Sequence, residues 1–166
     1  MAEKKELLKR EKLKFNGIFD LLAFYKHGRD WFEYNRYKVW EKDYKQEVFP
    51  TNKKVEWKWE CKRDIDEYSR FMIEVRCLCM DVVEVEVKER GKSVKMQKGD
   101  IEMQVSAWLI LDYEDTWEQT PMFKFLKGFY EKFIYKGTID TLKEEVWKES
   151  WDFLNEMKAF LNLYKY

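Results

Sequence analysis

The segment from Val55 to Val87 carries two long runs in which apolar and polar residues alternate. Because successive side chains of a β-strand point to opposite faces, a period of two predicts strands with one buried face. The apolar positions share one parity and are Val55, Trp57, Trp59, Cys61, Phe71, Ile73, Val75, Cys77, Cys79, Val83, Val85 and Val87. Asp81 places an acid on this parity, so we expect a bend or β-bulge there.

Charges on the opposite face favour one pairing of the two runs. Cross-strand pairs of opposite charge stabilise a sheet, and the register that forms them places Cys61 opposite Phe71. Its other pairs are Trp59 with Ile73, Trp57 with Val75, Val55 with Cys77, Lys58 with Glu74 and Glu56 with Arg76. We expect this register because a slip by one residue would exchange the two faces.

Three segments rich in turn-forming residues predict hairpins: residues 49–52, Arg90-Gly91 and Lys98-Gly99. Glycine permits the positive φ that two-residue hairpin loops require. The first hairpin is expected to set Tyr44 beside Trp57 and Trp40 beside Cys61. A last strand then follows through Val105, Ala107, Leu109 and Leu111, and a strand around Leu13 to Ile18 is its expected neighbour.

Three helices complete the expected architecture. Asp20 is placed to cap the first helix, which we expect to be interrupted or kinked near Gly28. Its apolar residues are Leu21, Leu22, Phe24, Tyr25, Trp31 and Phe32. Thr120 followed by Pro121 predicts the start of the second, whose apolar positions are Met122, Phe125, Leu126, Phe129, Phe133 and Ile134. The third is predicted from about Ile139 to Tyr164. Its stripe is Ile139, Leu142, Val146, Phe153, Met157, Phe160 and Tyr164, with Leu154 and Leu161 beside it. Residues 1–12 are interpreted as a frayed helical arm.

The fold class predicted from these elements is α+β. A curved antiparallel β-meander of about five to six strands is expected to be covered by a long C-terminal amphipathic helix, with two shorter helices beside it. A length of 166 residues suits one domain spanning the chain. With only 6 Gly and 2 Pro, the composition argues against a loop-rich or disordered chain.

The charge balance argues against nucleic acid as a partner. The chain has 32 basic and 32 acidic residues, whereas nonspecific polyanion binders carry a basic excess. Lys58 and Lys62 also point to the face opposite Trp57 and Trp59. Three cysteines, an odd number, suit a reducing compartment, and no apolar run approaches the length of a transmembrane helix. With no signal peptide in evidence, we expect a cytoplasmic protein.

Motifs for catalysis or cofactor binding are weak, and no cofactor is implied. His27 is the single histidine and lies in a predicted helix without a nucleophile motif around it. Cys61, Cys77 and Cys79 are interpreted as buried thiols rather than zinc ligands, because the expected register keeps Cys61 far from the other two. The acidic residues Asp112, Glu114, Asp115 and Glu118 are the remaining candidates for a divalent metal or for acid–base chemistry.

The concave face of the sheet is the most promising ligand site. The bulky side chains expected to line it are Trp40, Tyr44, Trp57, Trp59 and Phe71. A helix over such a sheet leaves either a ligand cavity or a filled core. The leading hypothesis is a non-enzymatic domain that holds an apolar small molecule, lipid or peptide between sheet and helix. The alternatives are a protein-interaction or self-assembling domain, and a metal-dependent enzyme using residues 112–118.

Several motifs resemble a family of small uncharacterised archaeal proteins over nearly the whole chain. They are LL and FY at 21–22 and 24–25, WEKDY at 40–44, KGDIE at 98–102, DYE at 112–114 with Trp117, and MKAFLNL at 157–163. The resemblance implies no particular activity and assigns no site residue. The order of strand, helix, meander and long C-terminal helix is also similar to the helix-grip (START-like) fold of lipid- and small-molecule-binding proteins, by topology alone.

Overall fold

The computed structural model describes residues 2–114, 121–130, 132 and 136–163. Within them the chain has the predicted α+β fold, with five antiparallel strands in one curved sheet and three helices. The elements are β1 (Glu3–Phe19), α1 (Leu21–Tyr34), β2 (Lys38–Val48), β3 (Lys53–Asp64), β4 (Ser69–Glu89), β5 (Lys92–Leu111), α2 (Pro121–Phe129) and α3 (Lys136–Asn162). The strand order across the sheet is β1-β5-β4-β3-β2, so β1 and β2 form its two edges.

Two of the three predicted hairpins are confirmed. Tyr44 pairs with Trp57 across the β2–β3 hairpin, as expected. At the β4–β5 hairpin, Val87 pairs with Val94 on either side of Arg90-Gly91. Arg90 has a φ of 51° and Gly91 a φ of 79°, which is the left-handed conformation that a two-residue hairpin loop requires.

The predicted turn at Lys98-Gly99 is wrong, because β5 continues through both residues to Leu111. Gly99 instead serves a close approach between strands: a Cβ there would lie 2.8 Å from the carbonyl oxygen of Met80. Gly17 of β1 pairs with Gly99 on its other side. The helical arm expected for residues 1–12 is also corrected, since β1 begins at Glu3 and pairs with β5 from there on.

The β3–β4 register differs from the prediction by two residues. Cys61 pairs with Ile73 rather than with Phe71, and Phe71 pairs with Arg63. A shift of two leaves every side chain on its predicted face, so residue parity does not distinguish the two registers. The charge pairing that suggested the wrong register survives as a diagonal contact, in which Lys58 Nζ lies 3.7 Å from Glu74 Oε2.

Extra residues in two strands decide where key side chains point. The bulge predicted at Asp81 is present, with a φ of 54° and a register shift between Met80 and Val83. A second bulge, at Lys42 of β2, was not predicted. It leaves Trp40 paired with Glu60 instead of Cys61, on the face opposite the one predicted.

The helices α1 and α3 cover the concave face of the sheet. Asp20 caps α1 as predicted, accepting a hydrogen bond of 3.1 Å from the Ala23 amide. Of the interruption or kink expected near Gly28, the interruption is wrong, because α1 runs unbroken through this buried residue. The apolar residues predicted for α3 are buried against the sheet and α1 at Ile139, Leu142, Val146, Phe153, Leu154, Met157 and Leu161, and the stripe residue Phe160 is partly buried.

The short helix α2 presents much of its apolar stripe to the surface. Pro121 begins the helix, as predicted. Its exposed large apolar side chains are Met122, Phe125, Leu126 and Phe129. The predicted cap Thr120 and the stripe residues Phe133 and Ile134 lie outside the described residues, as does the predicted helix end at Tyr164. No described helix combines the length and apolar character that crossing a bilayer requires.

Candidate functional site

The five side chains predicted to line one site lie in three different settings. Trp57, Trp59 and Phe71 are on the concave face and buried, with Trp59 fully so. Tyr44 is on the same face and half exposed, whereas Trp40 lies on the opposite face. Side chains of the core fill the space between the sheet and α3, so the structure does not bring these five residues around one cavity there.

A cleft of about 610 Å³ opens instead where α1 begins. Its floor is the β3 pair Val55 and Trp57, and the first turns of α1 form one wall with Leu21, Leu22 and Tyr25. The opposite wall is β2, with Tyr44 and Gln46, while Lys53 and Gln97 supply polar groups. This volume falls within the usual range for small-molecule sites, which combine apolar walls with a few polar groups.

The cleft is positioned by aromatic packing around Tyr25. The Tyr25 ring meets Trp57 edge to face at a centroid distance of 5.2 Å and Tyr44 at 6.2 Å. It also contacts Trp59 at 5.1 Å in the same manner. Such T-shaped pairs add to the stability gained by burial. Two residues of the predicted site, Tyr44 and Trp57, are therefore held at the cleft by a helix residue that sequence analysis did not single out.

Glu41 anchors this wall from β2. Its carboxylate accepts hydrogen bonds from the Tyr25 hydroxyl and, at 3.2 Å, from Trp59 Nε1. Arg29 lies 3.8 Å from the same oxygen. Without the bulge at Lys42, strand alternation would turn Glu41 away from Trp59. The bulge thus supplies the carboxylate that pairs the buried indole N–H.

Trp57 carries an unpaired polar atom into this part of the core. Its side chain is only 3% exposed, and its Nε1 donor has no hydrogen-bond partner among the described residues. Leaving a buried donor unpaired costs about 1–3 kcal/mol. Trp57 lines the cleft but its Nε1 is itself buried, so an acceptor bound there relieves this cost only when the ring shifts to turn the N–H toward the cleft.

The environment of Tyr25 keeps its hydroxyl protonated. Burial raises the pKa of Tyr25, and the hydrogen bond to the negatively charged Glu41 raises it further. The hydroxyl therefore remains a neutral donor to Glu41 at physiological pH. The raised pKa and the hydrogen bond to Glu41 therefore favour a structural role for this hydroxyl over a role in acid–base catalysis.

The candidate metal ligands are not gathered into a site in the described residues. Asp112 is buried beside Lys127, with Oδ2 and Nζ 3.7 Å apart, while Glu114 is exposed. Asp115 and Glu118 lie outside the described residues. No group of three or more His, Cys, Asp or Glu residues suited to a metal ion occurs in the described part of the chain.

His27 and the three cysteines also have structural rather than catalytic surroundings. His27 stacks on Phe160 at 4.7 Å, and its Nε2 lies 3.1 Å from Glu156 Oε1. Cys61, Cys77 and Cys79 are buried free thiols. In the observed register Cys61 pairs opposite Ile73, four residues from Cys77, which corresponds to roughly 13 Å along the strand.

Sequence analysis missed Tyr25, Glu41 and Leu22 as site residues. Tyr25 and Leu22 were recognised only as part of an amphipathic helix, and nothing in that pattern separates cleft residues from core residues. Glu41 alternates with its neighbours as an outward-facing residue would. Its place on the concave face depends on a single extra residue, which leaves no mark on the hydrophobic pattern.

The chain was compared with known proteins. It matches no protein-family model, and no curated protein or solved structure is significantly similar to it.

Proposed function

We propose that this protein is a binding domain for a small apolar molecule that carries a hydrogen-bond acceptor. The ligand occupies the cleft between the first turns of α1 and the β2–β3 hairpin, with its apolar part against Leu22, Tyr44 and Val55. The observation that carries the proposal is the unpaired Nε1 of the buried Trp57 at an apolar cleft. The acceptor of the ligand would take that hydrogen bond after a shift of the Trp57 ring turns the buried N–H toward the cleft.

The position of the cleft supports binding rather than catalysis. Its walls come from α1, β2 and β3, so the sheet and the Tyr25–Glu41 contacts hold its shape without a ligand. Preorganisation of this kind lowers the entropic cost of binding. The topological similarity to the helix-grip fold points to the same class of function, although here the mouth lies beside α1 rather than under the last helix.

Tryptophan fluorescence tests the proposal directly. A naphthalene-type probe carrying a carboxylate is expected to quench the emission of the wild-type protein and to bind more tightly than the same probe without the acceptor. Trp57→Phe keeps an aromatic ring but removes the N–H. This variant should lose most of the difference between the two probes, about tenfold in Kd for a hydrogen bond to a charged group.

Substitutions of exposed leucines provide a matched control. Leu22 is 62% exposed and lines the cleft, while Leu163 is 78% exposed and lies outside it. Leu22→Lys should weaken probe binding severalfold, and Leu163→Lys should not. Equal binding by both variants, or no probe binding to the wild type together with no co-purified small molecule in native mass spectrometry, would refute the proposed function.

A second candidate function, association with another protein chain, is favoured by α2. Its exposed side chains Met122, Phe125, Leu126 and Phe129 make an apolar surface of the sort that marks interfaces. Light scattering of the wild type and of Phe125→Glu tests it. Concentration-dependent dimers of the wild type that disappear in the variant would support association. If both proteins are monomers at every concentration and no protein is retained in a pull-down, this candidate is removed.

A further inference from the structure

A second depression lies at the opposite end of α1 from the cleft. This groove has a volume of about 790 Å³ and is formed where α1 ends, β2 begins and β3 ends. Tyr34 is the last residue of α1 and Arg36 follows it before β2. Lys38 and Trp40 come from β2, and Lys62 comes from β3. None of its lining residues lines the cleft, so the two depressions are separate surfaces.

The groove is basic in a chain of zero net charge. Five cations line it (Arg36, Lys38, Lys62, Arg63 and Arg70), against the two acids Asp64 and Glu145. Arg63, Arg70 and Lys62 have acidic partners: Arg63 lies 3.2 Å from Glu145 and 3.0 Å from Glu149, Arg70 contacts Asp64, and Lys62 lies 2.8 Å from Glu60.

Two cations of the groove, Arg36 and Lys38, have no acidic partner among the described residues and are free to bind an anion. The side chains of Arg36 and Lys38 are exposed, and neither makes an ion pair with any described residue. Unpaired guanidinium and ammonium groups on the wall of a groove are suited to phosphate. The positive potential of this end of the molecule therefore rests mainly on these two residues.

Exposed aromatic rings lie among these cations. Tyr34 is 88% exposed and Trp40 is 44% exposed. Because of the bulge at Lys42, Trp40 shares the outer face with Lys38 and Lys62, and Lys62 Nζ lies 5.5 Å from the centre of its ring. The core tryptophans Trp57 and Trp59 are separated from the lysines of their strand, but Trp40 is not. Aromatic faces beside cations are the arrangement that binds bases and phosphates together.

The backbone of Arg36 has a conformation that is unfavourable for a residue with a Cβ. Arg36 has a φ of 69° and follows the end of α1, where its amide donates to the Glu33 carbonyl and the Tyr37 amide to the Phe32 carbonyl. This is the Schellman arrangement, whose left-handed position is usually glycine because any Cβ is unfavourable there. An arginine at this position destabilises the helix end and places a cation in the groove.

We propose that the groove binds a nucleotide unit, with the base stacked on Trp40 or Tyr34 and the phosphate held by Arg36 and Lys38. Either a single-stranded nucleic acid or a free nucleotide supplies such a unit, because both present an aromatic base next to a phosphate. The zero net charge of the chain does not oppose this binding, since the positive charge is concentrated at one groove.

Arg36→Gly tests the proposal without the risk of misfolding. Glycine suits the left-handed backbone, so the variant should melt at a higher temperature than the wild type while losing affinity. The matched control is Arg90→Gly. Arg90 is also a left-handed arginine, with a φ of 51°, but it lies in the β4–β5 turn outside the groove. Both variants lose one charge and gain the same backbone relief.

Binding is measured by fluorescence anisotropy with a labelled single-stranded 12-mer of uridine, competed by uridine monophosphate and by inorganic polyphosphate. Arg36→Gly should weaken oligonucleotide binding about tenfold and reduce the slope of log K against log salt by about 0.7. Arg90→Gly should leave both unchanged. Trp40→Ala or Tyr34→Ala should weaken binding by about five- to 150-fold if its ring stacks a base.

The competition arms identify the source of the nucleotide. Tighter binding of the 12-mer than of the monophosphate indicates a single strand, and equal binding indicates a free nucleotide. The proposal is overturned if Arg36→Gly and Arg90→Gly behave alike. It is equally overturned if polyphosphate competes as well as the 12-mer and neither ring contributes, because the groove would then attract any polyanion.

Discussion

Gly28 of α1 lies directly against the ring of Trp59. A Cβ added to Gly28 would come within 3.0 Å of Trp59 Cζ3 and 3.2 Å of Met157 Cε. The elements α1, β3 and α3 therefore meet at Gly28, where there is room for a hydrogen atom but not for a side chain. This contact fixes how close α1 approaches β3, and with it the width of the cleft one helical turn away at Tyr25.

Gly28→Ala is expected to destabilise the protein by about 1 kcal/mol. Alanine improves helix propensity by up to about 1 kcal/mol, but overpacking a core typically costs about 1–3 kcal/mol. The Trp59 ring is fully buried and hydrogen-bonded to Glu41, so it has little freedom to move away. Urea unfolding measures the difference. Gly128→Ala in α2 is the control, since its Cβ would meet nothing within 4 Å; equal effects of the two substitutions would contradict the prediction.

Glu41→Ala is expected to cost about 1–3 kcal/mol, because it leaves the buried Trp59 N–H without its acceptor. The Tyr25 hydroxyl loses its acceptor at the same time. Glu47→Ala, on the exposed end of the same strand, should change stability by less than about 0.5 kcal/mol. Thermal melts of both variants provide the measurement, and a Glu41→Ala protein as stable as wild type would mean that water replaces the carboxylate as the acceptor for the Trp59 N–H.

The three thiols are expected to be unreactive in the folded protein. Burial raises the pKa of Cys61, and burial followed by the hydrogen bond to Cys79 raises that of Cys77. Because the thiolate is the reactive form, Ellman's reagent at pH 8 should modify these cysteines only at the rate of unfolding. All three should react at once in denaturant. Rapid modification of one thiol in native buffer would show that its strand opens readily.

Stability is expected to fall above about pH 10 through Tyr37. Burial, then the negative charge of Glu149, raises the pKa of Tyr37 above its ordinary value of 10.0. The contribution of this group is complete below that value. As the pH rises past it, the unfolded chain releases the proton first, and the free energy of unfolding decreases by up to about 1.4 kcal/mol per pH unit.

Tyr37→Phe isolates this effect from that of other alkaline groups. Its unfolding free energy, measured in urea between pH 8 and 11, should depend less steeply on pH than that of the wild type. Tyr34→Phe, which alters an exposed hydroxyl, should follow the wild type. Parallel curves for Tyr37→Phe and the wild type would show that this phenol ionises as easily in the folded state as in the unfolded chain.

Residue parity predicted the faces of β3 and β4 but not their register. Pairs two residues apart bury the same side chains, so the choice between Cys61 with Phe71 and Cys61 with Ile73 depends on small differences in packing. Local signals were more informative where chemistry is specific. The Asp20 cap and the Arg90-Gly91 turn each require a particular side chain or φ, and both were predicted correctly.

Glycine residues were ambiguous as signals of turns or helix breaks. At Gly99 the same residue type that makes turns instead admits the Met80 carbonyl, and at Gly28 it admits an indole ring. Both are contacts between segments far apart in the chain, which local sequence does not reveal. The candidate site was only partly predictable for the same reason: Tyr44 and Trp57 follow from strand parity, whereas Glu41 and Trp40 were assigned to the wrong faces.

The single extra residue in β2 ties the two proposed binding surfaces together. If Lys42 were deleted, the start of the strand would rotate by half a turn, sending Trp40 toward the buried interior and Glu41 outward. Deletion of this one residue would thus disrupt both surfaces. An insertion or deletion at this point of β2 would therefore change the cleft and the groove together, so both surfaces depend on the length of this edge strand.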